Sequence, residues 1–247
     1  YKPYRSAAIG FITPLGNVLV DDPRPDPEDL MKVAPAGARC GATGQSNKGK
    51  NVQVSHAADR ATCVGDLRSM EIAFGMKLFE LNLDTRPNLI FLTADMHVYY
   101  DRGLITIIPL LPVLNKLFIA LTEQTLDDWA WDKPPQRNSR GFIHHEDVFE
   151  FSNAGRKFRL VPLSTWGTET GIQIMTKRPD GTFRGKLYNP PFTTPTTRKP
   201  QLPLTTLHCS PYFAVWKAYW AINQPDVVWP SYVEEEMALI LQIGEIM

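Results

Sequence analysis

Five side chains have types and spacings that can do chemistry together. His97 and Asp101 stand four residues apart in the run DMHVYYDRG, Asp95–Gly103. On a helix that spacing puts both on one face, where an imidazole and a carboxylate can share one divalent cation. His56 ends a run of strand-forming residues. An imidazole has an ordinary pKa of ~6.5, so much of it is neutral near physiological pH and can take a proton from water. Asn88 is expected to hydrogen-bond the other ring nitrogen of His56 and fix the tautomer. Arg60 is expected one helical turn past His56, and its planar fork suits a phosphate.

These residues need elements that bring them together. Ala38–Thr43 and Asn51–Ser55 read as a β-hairpin joined by the loop 44–50, with His56 at its end. Asn88–Leu92 reads as a short strand, and Thr93 as the cap of a helix running to about Asp101. Leu104–Ile108 reads as a third apolar strand. Upstream, Ser6–Thr13 and Asn17–Val20 read as a hairpin, followed by a stiff connector over Asp21–Pro27. Leu67, Met70, Phe74, Leu78 and Leu81 recur at helical spacing and predict a helix over 66–81 with Asp66 as N-cap.

Further along, Gly141–Phe151 and Phe158–Leu163 read as strands, and 113–131 fits strand or helix. Arg178–Gly181 reads as a turn, and Asn189–Pro203 as an extended surface segment rich in proline and threonine. The aromatic residues of Tyr212–Asn223 predict a helix that packs in the core. Ser231 and Glu234 resemble a capping box opening a final helix.

Four motifs follow in order: CGATG at Cys40–Gly44, SHAADRA at Ser55–Ala61, RPNLIFL at Arg86–Leu92, and DMHVYYDRG. Together they resemble the HNH endonuclease family, most closely its fungal branch. HCSPYF at His208–Phe213 is a weaker echo of the same branch. The resemblance covers residues 38–106. It implies an α+β fold with a ββα-metal (HNH) core over 38–106. An N-terminal hairpin and linker over 1–37 precede it, and a β-rich and helical extension over 107–247 packs on it. The implied activity is single-metal hydrolysis of nucleic-acid phosphodiester bonds, with DNA favoured over RNA and Mg²⁺ over Mn²⁺. In that scheme His56 is the general base, Asn88 orients it, His97 and Asp101 hold the metal, and Arg60 binds phosphate. Lys48, Lys50, Arg68 and Arg102 would extend a cationic strip.

Two positions depart from the family pattern. Ser55 stands where a further metal ligand is usual, which leaves two strong protein ligands. Mg²⁺ tolerates this because it keeps several waters; tight zinc binding is not expected. Asp59 stands where proline is usual, and would either add a ligand or repel phosphate. These departures keep a second reading open, a catalytically degenerate HNH scaffold that binds or signals. A third, a metal-free hydrolase built on His144 or His145, lacks an Asn and a helical His at the right distances. Cys40 with Thr43 resembles half of a zinc knuckle without a second cysteine pair, so no structural zinc is expected. His208 is expected to pin the segment before the aromatic helix.

Composition sets the outer bounds. The 26 basic and 26 acidic side chains cancel, which argues against a protein that grips nucleic acid with its whole surface. A chain of 247 residues, 43% hydrophobic and 21% charged, is globular in composition and long enough for a sizeable core. Three cysteines are too few for a disulfide scaffold. The best apolar run, Leu104–Leu114, is broken by Pro109 and Pro112 and falls short of the ~18 residues of a spanning helix. No signal peptide or basic leader is visible, so an intracellular location is the default expectation and no membrane partner is foreseen.

Overall fold

The strand VQVSH (β1, Val52–His56) pairs antiparallel with LIFLT (β2, Leu89–Thr93) in the computed structural model, with His56 opposite Leu89 and Val52 opposite Thr93. The structure describes residues 25–47, 51–122, 135–150, 154–167, 170–194 and 196–247. The expected hairpin over 6–20, Lys48, Lys50 and the second part of 113–131 lie outside those residues.

The β1–β2 pairing replaces the expected hairpin of 38–43 with 51–55. Residues 40–44 instead form a tight turn in which Gly44 N–H donates to the Cys40 carbonyl, and Gly41 N–H donates to the Phe91 carbonyl of β2. The physical reason is burial. β2 is buried along its whole length, so both of its edges need backbone partners away from water. Alternation along the two strands then sorts their faces. Val52, Val54, Leu89 and Phe91 pack on Leu30 of α1 (Pro27–Val33), while Ile90 and Leu92 enter the main core.

Between β1 and β2 lies α2 (Val64–Ala73), shorter than the helix expected over 66–81 and capped by Cys63 Sγ rather than by Asp66. Gly75 ends it: its φ is +70°, and a Cβ there would strike the backbone of Ile143 and His144. Directly after β2, Thr93 occupies the N-cap position of α3 (Ala94–Asp101), as its sequence predicts. Gly103, at φ +67°, reverses the chain after α3, with Leu104 N–H donating to the Tyr99 carbonyl. β1, β2 and α3 are thus complete by residue 101, with α2 and the 3-10 turn Arg86–Asn88 inserted between the two strands.

The rest forms the body against which this unit packs. β3 (Ile105–Pro109), β4 (Arg156–Pro162) and β7 (Thr205–Leu207) make an antiparallel sheet in the order β3-β4-β7, and β5 (Ile172–Lys177) pairs with β6 (Phe183–Tyr188). The stretch left open at 113–131 is helical as far as it is described (α4, Leu111–Thr122). The strand expected over Gly141–Phe151 does not form over the described residues 141–150. His144 caps a short helix, α5 (His145–Val148), whose first turn carries Glu146 and Asp147, charges favourable at a helix N-terminus. The aromatic segment is α6 (Pro211–Ile222), buried on most of its faces and central to the core. The capping box at Ser231 does not form: Ser231–Val233 is a 3-10 turn and α7 runs Glu234–Ile246. One hydrophobic core extends from Cys40 to Met247, so residues beyond 106 are built into the same body. Among the described residues no helix is long and apolar enough to cross a membrane.

Candidate active site

The end of β1 delivers His56 to a carboxylate that local sequence patterning does not reveal. Its Nε2 lies 2.8 Å from Asp84 Oδ1, and the other carboxylate oxygen, Oδ2, lies 3.0 Å from an Arg60 guanidinium nitrogen. Arg60 is therefore brought to His56 through a shared partner. The expected helical turn between them is absent, and residues 57–63 run as an irregular loop. With Nε2–H donating to Asp84, the neutral ring keeps its lone pair on Nδ1.

Asn88 corrects an expectation. Its Oδ1 accepts from Ala58 N–H (2.7 Å), and its amide donates to the carbonyls of Ala58 (3.0 Å) and Leu83 (2.8 Å). Both amide protons are spent on backbone, so Asn88 does not donate to the His56 ring. Completely buried, it staples the loop leaving β1 to the segment entering β2, and so sets the direction in which His56 and Asp84 meet. The segment before α6 backs this turn through Ser210. The Pro87 carbonyl accepts from Ser210 N–H (2.8 Å), while the buried His208 ring is held well below the ordinary imidazole range, at about 4, chiefly by burial.

His97 and Asp101 share one face of α3, as their spacing predicts, with Nε2 and Oδ2 3.3 Å apart. Nδ1 of His97 lies 3.1 Å from Gln53 Oε1 on β1. With Nδ1–H donating to Gln53, the neutral ring turns an Nε2 lone pair toward a carboxylate oxygen. The two atoms can meet through a shared proton or through a metal ion. Asp101 is half buried, and burial raises its carboxyl above the usual carboxylate range; His97 and Lys217 pull it down, Asp59 pushes it up, and His56 lowers it slightly. The two histidines, Asp59 and Lys217 thus all act electrostatically on Asp101.

No protein-family model, curated protein or solved structure matches this chain.

The donor set at His97 and Asp101 fits a hard divalent ion that keeps most of its waters. The Gln53 contact has the form of the outer-shell hydrogen bond that fixes a metal-bound imidazole. Among the described residues no group of three or more His, Cys, Asp and Glu side chains is arranged to hold a metal. Ser55 is completely buried on the same face of β1 as Gln53. Cys40 is buried and accepts from Thr43 N–H (3.4 Å) and Thr93 Oγ1 (3.7 Å), tying the CGATG turn to the start of α3.

Asp59 neither completes the ligand pair nor stands bare before phosphate. Lys217 Nζ of α6 lies 2.7 Å from its Oδ2 and 5.3 Å from the Tyr100 ring centre. The histidine doublet lies elsewhere: His145 packs on Phe74, Tyr212 and Phe213, and burial first, then His144, pushes it down to about 3. Residue spacing misses Asp84, Gln53 and Lys217. The only sequence signal for Gln53 is a polar residue on the alternation of a strand ending in histidine.

Proposed function

We propose that this protein is a metal-dependent endonuclease of the HNH type, with residues 52–101 as its ββα-metal core. The observation that carries the reading is the His97–Asp101 pair on α3, tied to β1 by the Gln53 contact, with His56 ending the same strand against Asp84. Each residue has a task. His56 takes a proton from the attacking water through Nδ1, while Asp84 holds Nε2–H and stabilises the imidazolium that forms. Arg60, half exposed beside Asp84, offers its remaining N–H groups to a phosphate oxygen. His97 and Asp101 would hold a divalent ion, Mg²⁺ by preference, which would neutralise charge developing in the transition state. Asn88 keeps the loop between the two halves in register.

Incubation of the purified protein with plasmid DNA and with RNA, in Mg²⁺, in Mn²⁺ and with chelator, tests this. Cutting that chelator abolishes and His56→Ala removes is the expected result. Failure to cut either substrate with either metal overturns it.

A second reading, a scaffold that binds without cutting, is favoured by one observation: the Asp84 carboxylate engages both His56 and Arg60, the two groups that cutting would need. It predicts nucleic-acid binding that His56→Ala leaves unchanged and no hydrolysis.

A further inference from the structure

A cavity of about 530 Å³ opens beside the metal-ligand pair, bounded by the 59–63 loop with the first turn of α2, the end of α3, and one face of α6. Asp101 and Trp220 both line it. Its size falls in the range of ~300–1,000 Å³ typical of small-molecule sites. We propose that it is a nucleobase subsite, and that the substrate is single-stranded DNA whose base next to the scissile phosphate enters it. This rests on the nuclease reading above and names its substrate class.

The charge of the lining chooses the occupant. Asp59, Asp66 and Asp101 contribute three carboxylates against the single ammonium of Lys217, which Asp59 already engages. A phosphate group meets net repulsion there. A base edge does not: its amino and imino N–H groups donate to carboxylate and amide oxygens, and Asp66 and Gln224 both line the cavity. The phosphate stays outside the cavity, on the divalent ion that His97 and Asp101 would hold.

The apolar lining fits the same occupant. Trp220 is 44% exposed, on a helix otherwise almost wholly buried, and stands edge-on to Trp216 at 6.2 Å between ring centres. Aromatic faces of this kind stack bases with little sequence preference. A base held in a duplex stack cannot enter such a cavity unless it leaves the stack, so unpaired strands are preferred.

The cavity carries its own reporter. Cys63 lines it and is exposed, whereas Cys40 and Cys209 are buried, so alkylation reads this site selectively. The probes are a short mixed-sequence single-stranded oligodeoxynucleotide and its blunt duplex, each with Mg²⁺ and with chelator. The single strand is expected to protect Cys63 at about tenfold lower concentration than the duplex, and Trp220→Ala to raise the concentration needed by about tenfold. Equal protection by both probes, or protection unchanged in Trp220→Ala, overturns the subsite. If the protein cuts DNA in a His56-dependent way yet neither probe protects Cys63, the subsite falls and the nuclease reading stands. If the single strand protects and nothing is cut, the nuclease reading falls and the subsite stands.

Discussion

Oδ1 of Asp84 stands 2.8 Å from Nε2 of His56, across 28 positions of sequence. The pair joins the end of β1 to the segment that leads into β2, and Asn88 bonds to the backbone on both sides of it, at Ala58 and Leu83. A carboxylate on one imidazole nitrogen makes the other the better proton acceptor, because the cation formed is stabilised in place. The same carboxylate holds Arg60 through its second oxygen. The proposed base and the proposed phosphate ligand are therefore positioned by one side chain.

Replacing that side chain separates the two functions. Asp84→Asn keeps the shape and removes the charge, and is expected to slow DNA cutting by about 100-fold, at the low end of what general-base catalysis contributes. Arg60→Ala is expected to act mainly on KM. Steady-state cleavage of plasmid by the two variants measures both, and an Asp84→Asn rate within about twofold of the parent removes the dyad from the mechanism.

The Gln53–His97 contact makes a second, independent prediction. Outer-shell partners of a metal-bound imidazole typically change metal affinity by about 10–100-fold. Gln53→Ala is expected to raise the Mg²⁺ or Mn²⁺ concentration for half-maximal cutting by about tenfold, with the rate at saturating metal retained. A Mn²⁺ titration followed by electron paramagnetic resonance checks the affinity without relying on turnover. Unchanged affinity in Gln53→Ala and in His97→Ala places the metal elsewhere.

Features carried by near neighbours in sequence are the ones that can be read from it. His97 and Asp101 are four apart on a helix, Thr93 caps that helix, and the aromatic run of α6 announces its own burial. The partners that tune those groups are not local. Gln53 reaches His97 across 44 positions, and Lys217 reaches Asp59 across 158; no periodicity links such pairs. The misread hairpin has the same origin. Residues 38–43 and 51–55 are neighbouring segments, but the fully buried β2 competes successfully for the β1 edge. The order His56, Asn88, His97 puts Asn88 on the His56 ring, yet the loop it staples takes both of its amide protons.

The Asp59–Lys217 pair predicts an asymmetry in stability. Lys217 is 6% exposed, while the Asp59 side chain is 45% exposed. Removing Asp59 leaves an ammonium buried without its anion; removing Lys217 leaves a carboxylate that water can solvate. Asp59→Ala is expected to cost about 2–4 kcal/mol and Lys217→Met about 1 kcal/mol or less, with the double variant less destabilised than Asp59→Ala alone. Urea unfolding of the three variants provides the comparison. Equal costs for the two single variants contradict the burial assigned to Lys217.

Two buried imidazoles predict how stability depends on pH. Burial holds His145 at about 3 and His208 at about 4, against an ordinary 6.5 in the unfolded chain. As pH falls below 6.5 the unfolded chain takes up protons that the folded chain refuses, so unfolding is favoured. The stability each neutral ring permits is complete above pH 6.5. It is lost progressively as pH falls toward the folded values, about 4 for His208 and about 3 for His145. Between pH 7 and pH 5 the two together are expected to remove about 4 kcal/mol. His145→Leu, which keeps the packing against Phe74 and Phe213 without a titrating group, should halve that loss. Urea midpoints for parent and variant at the two pH values test it, and a variant that loses as much stability as its parent shows that His145 does not titrate on unfolding.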